Sequence, residues 1–204
     1  MTRFIFFLFA MLFMPMASAQ KNPTILIWGD SLSAAYGIPQ ESAWPSLLAR
    51  KLSSEGYRHE ISNPSISGET SAGGLQRLPE ALSRTKPAIV ILELGANDGL
   101  RGLPLPAMRK NLAGMIQLSQ QAGAKVMLIG MRMPPNFGPV YAQKFQQVFT
   151  DLARDYKTAI LPFMMEGFAQ RAELFQSDNL HPAPAAQPLI LANIWPVLKP
   201  LLGK

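Results

Sequence analysis

Five short, β-favouring runs alternate with five longer amphipathic stretches over almost the whole chain, and this alternation restricts the fold more than any other feature of the sequence. Thr24 to Trp28, Glu60 to Ser62, Ala88 to Leu94, Lys125 to Gly130 and Thr158 to Leu161 read as strands. The third and fourth are nearly all apolar, as expected of strands buried on both faces. Between them, Ser42 to Ser53, Gly73 to Ser83, Leu105 to Gln121 and Val140 to Arg154 carry apolar residues at helical spacing. A last helix is expected over Ala185 to Leu202, with a bend at Pro196. Strands that alternate with helices imply an α/β fold whose parallel sheet is covered on both sides. The stretch "GMRMPPNFGPV" reads as a surface loop after the fourth strand, because its Pro and Gly residues break both periodicities.

The beginning of the chain lies outside this pattern. Met1-Thr2-Arg3 is a short basic start, Phe4 to Met14 is a continuous apolar run, and Ala17-Ser18-Ala19 has the small-x-small spacing that signal peptidase reads. The apolar run is too short for a stable membrane span. Residues 1–19 are therefore expected to be a signal peptide and residues 20–204 a single domain, exported to the periplasm or secreted. With 204 residues and 48% apolar content, the chain can bury one sizeable core and hardly two. It contains no cysteine, which excludes disulfides and a lipoprotein anchor. Loss of Arg3 with the leader lowers the formal charge from +6 to about +5. Lys and Arg are scattered and never interleave with aromatics in a run, so no nucleic-acid partner is expected, and at most a weak association with anionic membrane surfaces.

In a parallel sheet of this kind ligands bind at the carboxyl ends of the strands. Ser31 follows the first strand, "NPSISGETS" the second and "GANDG" the third, while "SDNLHP" precedes the final helix, where its loop can return to the same edge. Small polar residues after a strand usually serve only the turn. Ester hydrolysis by a serine, however, needs a base to take the hydroxyl proton, an acid to orient that base, and donors for the oxyanion. The chain has two histidines. His59, in "EGYRHE", stands among charged residues at the start of a strand, the wrong end for such a site, and a solvent-exposed role is expected. His181 lies three residues after Asp178, a spacing that lets the carboxylate fold back toward Nδ1 of the imidazole. Two histidines without cysteine leave little from which to build a metal site, and neither a phosphate loop nor a dinucleotide fingerprint is present. No metal and no cofactor are expected.

Taken in order, "GDSLS", "ISGETS", "GAND" and "DNLH" resemble the four marker blocks of the GDSL-type esterases and lipases, also called SGNH hydrolases, and the resemblance covers the mature chain. It implies a three-layer α/β/α fold around a five-stranded, mainly parallel, flavodoxin-like sheet. It also implies that Ser31 is the nucleophile, His181 the general base and then acid, and Asp178 its orienting partner. The backbone N–H groups of Ser31 and Gly68 and the side-chain amide of Asn97 would meet the oxyanion. "ELGANDGLRG", "TSAGGLQRLP" and "LPFMMEG" are most similar to the small exported branch that combines acyl-thioesterase, lysophospholipase and arylesterase activity. Two positions depart from that branch: Ala96 stands where a second glycine is common, and Asn179-Leu180 replaces a more usual Gly-Ile.

The expected activity is accordingly hydrolysis of small acyl esters, thioesters or lysophospholipids by a monomeric enzyme. The alternatives are a carbohydrate O-acetyl esterase and a non-catalytic exported binding protein on the same scaffold. Apolar residues after the third and fourth strands, Leu103, Leu105, Met133 and Phe137, are expected to line an acyl groove. Asp30 reads as a structural acceptor for nearby loop N–H groups, and Glu69 as a favourable charge at the start of the following helix. The methionines at 127, 131, 133, 164 and 165 fit an acyl pocket or, more ordinarily, the core.

Overall fold

The computed structural model describes residues 22–203. The proposed leader and its cleavage after Ala19 lie outside the described residues. Strands β1 (Thr24–Gly29), β2 (Glu60–Ser62), β3 (Ile89–Glu93), β4 (Lys125–Ile129) and β5 (Ala159–Leu161) form one sheet in the order β2-β1-β3-β4-β5. All four pairings are parallel, so the expected "mainly parallel" sheet is wholly so. Among the described residues six α-helices complete the layers: α1 (Trp44–Ser54), α2 (Ser71–Thr85), α3 (Ala96–Leu100), α4 (Leu105–Gln121), α5 (Pro139–Tyr156) and α6 (Gln187–Leu198). α1 packs on α6, and α4 packs between α2 and α5.

The apolar runs explain why β1 and β3 occupy the middle. Ile25, Leu26, Ile27 and Trp28, and Ile89 to Leu92, are buried on both faces, as residues of a central parallel strand must be when helices cover both sides. β2 and β5 have only three residues each and are half-buried at the sheet edges. Trp28, Trp44, Phe145 and Phe149 are the largest fully buried side chains. The two indoles keep their polar atoms satisfied: Trp28 Nε1 donates to the Gly74 carbonyl at 3.1 Å and Trp44 Nε1 to the Leu32 carbonyl at 3.2 Å. Met127, Met131, Met133, Met164 and Met165 all belong to the core.

Two elements differ from the sequence reading. The sequence pattern places no helix between the third strand and Leu105, where α3 lies; its five residues include Asn, Asp and Gly, poor helix formers that give no periodic signal. The last helix is shorter than Ala185 to Leu202, with single 3-10 turns at Pro184–Ala186 and Lys199–Leu201 on either side of α6. Pro196 lies inside α6, two residues before its end.

The strand order turns back at β1, because β2 is added on one side and β3 on the other. The carboxyl ends of β1 and β3 thus lie at the point where the connections diverge to opposite faces, the crevice in which open α/β sheets bind ligands.

Candidate active site

β1 ends at Gly29 and the chain turns sharply. The N–H groups of Ser33 and Ala34 both donate to the Asp30 carbonyl, at 3.2 and 2.9 Å, and that of Leu32 to Asp30 Oδ1 at 3.0 Å. Ser31 is held on this turn with its hydroxyl at the carboxyl edge. Gly29 has to be small: a Cβ there would stand 2.6 Å from Glu93 Oε2 and 2.7 Å from Ser33 Oγ.

The loop before α6 brings His181 to that hydroxyl. His181 Nε2 lies 2.9 Å from Ser31 Oγ, and His181 Nδ1 lies 2.6 Å from Asp178 Oδ2. The other carboxylate oxygen, Oδ1, accepts the backbone N–H groups of Leu180 and His181 at 2.9 and 3.0 Å. Burial opposes the charge on Asp178, but these two N–H groups and the imidazole outweigh it and lower the carboxyl from 3.8 to about 2. A carboxylate that only accepts places the imidazole proton on Nδ1, which leaves Nε2 free to accept from the serine hydroxyl. The turn needs a left-handed residue at Asn179, φ 57°. Asparagine tolerates this conformation better than most side chains, which suits it to a position where the family resemblance implies a glycine.

Further hydrogen bonds fasten the loop. Gln176 N–H donates to the His181 carbonyl at 2.8 Å, and Gln176 Nε2 donates to the Tyr36 carbonyl at 2.9 Å. The Tyr36 ring covers His181 with 4.5 Å between centroids.

Gly68 and Asn97 enter from the loops after β2 and β3. Gly68 adopts φ 79°, and its carbonyl accepts Arg101 Nη2 at 2.8 Å. Its loop is tied to the end of β1, since Ile66 N–H donates to the Gly29 carbonyl at 3.2 Å. Asn97, in the first turn of α3, uses one amide N–H to bond Asp30 Oδ2 at 3.0 Å, which leaves the second N–H of the amide for another acceptor. Asp98 next to it is buried and accepts both the backbone N–H and the hydroxyl of Ser71, at the start of α2. Glu69 pairs with Arg77 at 2.7 Å and also accepts the N–H of Thr70, the residue that caps α2.

Two buried acids lie beneath the serine turn. Asp30, as expected, serves nearby donors, those of Leu32 and Asn97. Burial pushes its carboxyl up to about 6, against the pull of the Leu32 N–H, the His181 charge and the Asn97 amide, while the Asp98 charge adds to the rise. Glu93, at the end of β3, is fully buried; desolvation and the Asp30 charge push it well above the usual carboxylate range, although Ser33 Oγ and the Asp30 N–H donate to its Oε2 at 2.7 and 3.3 Å.

His59 lies at the opposite, amino edge of the sheet, just before β2. It is half-buried, with its Nδ1 enclosed and without a hydrogen-bond partner, and so departs from the solvent-exposed role expected of it. It sits among charged residues in sequence, but Tyr57 packs edge-on against the ring at 6.2 Å.

The four apolar residues assigned to an acyl groove do not form one set. Leu103 is 38% exposed, Leu105 and Phe137 are half-buried, and Met133 is 7% exposed within the core. The small depression beside Ser31 is lined instead by Leu32, Ala35, Tyr36, Ile38, His181 and Pro182. Sequence reasoning missed Tyr36, Arg101 and Glu93. For Glu93 a signal existed, because it is the one charge inside the apolar run "IVILELG". Among the described residues no cluster of three His, Cys, Asp or Glu side chains could hold a metal ion, and no helix is long and apolar enough to cross a membrane.

The family model for the GDSL-like lipases/acylhydrolases matches residues 27–188. The chain belongs to this family. It is 50% identical over 179 residues to the esterase TesA of Pseudomonas aeruginosa, covering 88% of this chain and 89% of that protein. It is 39% identical over 197 residues to thioesterase 1/protease 1/lysophospholipase L1 of Escherichia coli, covering 97% of this chain and 92% of the relative. Among solved structures, the esterase EstA from Pseudoalteromonas, inhibited by monoethylphosphonate, superposes with a TM-score of 0.85 at 43% identity, covering 90% of this chain and 100% of that one. As a member of the family, the chain is an SGNH-type carboxylic ester hydrolase of the esterase and thioesterase kind, acting on acyl ester or lipid substrates.

Proposed function

We propose that Ser31, His181 and Asp178 carry the hydrolysis through an acyl-enzyme. His181 Nε2 takes the proton as Ser31 Oγ attacks the acyl carbonyl carbon, and Asp178 holds the resulting imidazolium. The carbonyl oxygen becomes an oxyanion, met by the N–H groups of Ser31 and Gly68 and the second amide N–H of Asn97. Collapse of the tetrahedral intermediate breaks the bond to the leaving alcohol or thiol, which receives its proton from His181. Water then enters, giving one proton to His181 and its oxygen to the acyl carbon, and release of the carboxylic acid restores the serine.

The observation that carries this reading is the unbroken line from Asp178 Oδ2 through the imidazole to Ser31 Oγ, with separations of 2.6 and 2.9 Å. The substrates we favour are aryl esters, acyl thioesters and lysophospholipids, in keeping with the names of the relatives. Leu103, Leu105, Met133 and Phe137 remain the proposed acyl-facing residues, Met133 only where the loop yields. We also read the enzyme as exported to the periplasm, or secreted, and monomeric.

A phosphonate ester reagent tests the nucleophile directly, in line with the phosphonate that inhibits the Pseudoalteromonas esterase. Intact-mass and peptide analysis should find one adduct, on Ser31, and Ser31→Ala should abolish it together with several orders of magnitude of activity. An adduct at any other residue, or a Ser31→Ala chain that still turns over esters efficiently, would overturn the assignment.

A further inference from the structure

Among the described residues seven large hydrophobic side chains are exposed: Tyr36, Ile66, Leu100, Leu103, Val140, Leu180 and Leu189. Scattered exposed apolar residues are ordinary on protein surfaces. Their placement here is not, because all seven lie at the end of the molecule that carries Ser31. Tyr36 covers His181, and Leu180 donates its N–H to Asp178. Ile66 is bonded through its N–H to the carbonyl of Gly29, two residues before the serine. Leu100 and Leu103 flank Arg101 beside Asn97, and Leu103 N–H donates to the Asp98 carbonyl. Val140 precedes Tyr141, whose hydroxyl donates to the Gly99 carbonyl. Leu189 follows Gln187, whose amide donates to the Pro182 carbonyl behind His181. α1, α2, α4 and the turns at the amino edge contribute none.

From this segregation we infer that the carboxyl edge docks on a lipid surface bearing anionic headgroups, with the apolar side chains entering the interface around the nucleophile. Charge supports this occupant. The chain carries a formal +6. Around the site Glu69, Glu166 and Glu173 are each paired with an arginine and Asp178 with His181. Among the described residues Arg101 has no carboxylate partner, and the exposed acids without a cation are Glu41, further out before α1, Glu60 at the amino end of β2 and Glu80 in the second half of α2. Single aliphatic side chains on loops and helix ends, with a tyrosine among them, suit a headgroup boundary, where burial of apolar area and attraction of basic residues add. A protein partner on this edge would close the site to substrate, whereas a lipid surface presents acyl esters to it.

The test measures co-sedimentation of the Ser31→Ala chain, which leaves the lipid intact, with vesicles of phosphatidylcholine alone and of phosphatidylcholine with about one third phosphatidylglycerol. Binding should favour the anionic vesicles and weaken with salt. Ile66→Ser, Val140→Ser and Leu189→Ser combined should reduce it about tenfold or more. The same three changes in the chain with Ser31 intact should leave turnover of a water-soluble short ester within about twofold, as surface substitutions usually do. Absence of binding to either vesicle, or equal binding by the triple variant, overturns the proposal. So does a dimer in vesicle-free solution that the triple variant loses, since a second copy would then cover the edge. A Ser31-intact chain without esterase activity would refute the catalytic reading and leave the vesicle result unaffected.

Discussion

His181 and His59 stand at opposite edges of the same sheet, and the difference between them lies in what surrounds each ring. His181 has both nitrogens engaged, one with a carboxylate and one with a hydroxyl, and its loop is fastened by Gln176. His59 has an enclosed Nδ1 without a partner. At the carboxyl edge, loops after β1, β2, β3 and β5 converge and supply partners from distant parts of the chain. At the amino edge, His59 meets its sequence neighbour Tyr57, and among the described residues no hydrogen bond reaches its ring. A histidine is set up to act as a base where the topology delivers a proton donor and an orienting acceptor together; among the described residues only one end of this sheet does so, and this contrast underlies the role proposed for His181.

The sharpest way to break the comparison is to remove each ring. His181→Ala should reduce kcat/KM by several orders of magnitude, close to the loss from Ser31→Ala, because the two act as one unit. His59→Ala should leave kcat/KM almost unchanged. Steady-state rates on an aryl ester decide the matter: similar losses at both positions would mean that the amino edge reaches the chemistry.

A smaller effect concerns the acids and amides that serve the carboxyl edge. Asn97→Ala should lower kcat by about 10²–10³-fold with much less change in KM, the usual result of deleting one oxyanion donor. Asp30→Asn should cost less, about tenfold in kcat, because it keeps a polar group against Asn97 but weakens the bond that aims its amide. The same substitution should act on stability with the opposite sign. The Asp30 carboxyl is raised from 3.8 to about 6 by burial, so the folded state holds its proton more tightly than the unfolded chain. Its contribution to stability is complete below about pH 4 and is lost as pH rises through 6. Denaturation midpoints should therefore favour Asp30→Asn over the parent more at pH 8 than at pH 4. A KM effect alone at Asn97, or a stability gain that shrinks as pH rises, would contradict this account.

The sequence made one part of this legible and hid another, for physical reasons. β1 and β3 declare themselves because a strand buried on both faces has no room for polar side chains; once the strands are placed, Ser31, Gly68 and Asn97 fall after strand ends and Asp178 and His181 before the final helix, while their grouping into one site came from the resemblance to the four marker blocks. α3 was illegible, since five residues rich in Asn, Asp and Gly carry no helical pattern of their own and are held by tertiary contacts, Tyr141 donating to the Gly99 carbonyl and Asp98 accepting from Ser71. Leu103 and Met133 illustrate the same limit. Both are apolar residues in Pro- and Gly-containing loops, yet one is exposed and the other lies against Gly99, where a Cβ would meet its sulfur at 2.6 Å. That distinction depends on a helix the pattern does not reveal. Glu93 is marked in the sequence as the single charge in an apolar strand, but the pattern says nothing of the Ser33 hydroxyl that donates to it.

The smallest effect belongs to His59 and bears on stability rather than rate. Burial and the nearby Lys125 charge lower its pKa from 6.5, so the unfolded chain binds the proton more tightly than the folded one. Stability is thus undiminished above pH 6.5 and falls as pH drops through that value. His59→Phe keeps an aromatic ring beside Tyr57 and removes both the proton and the unpartnered Nδ1. An unsatisfied buried polar atom costs about 1–3 kcal/mol, and partial exposure of this ring places the gain at the lower end, about 1 kcal/mol. For a domain of this size that is a rise of about 2–4 °C in Tm. The gain should be larger at pH 5 than at pH 8, whereas ester turnover should be the same for variant and parent at both. A gain that is equal at the two pH values would mean that the ring titrates as it does in the unfolded chain, and a loss of stability would mean that Nδ1 has a partner in solution.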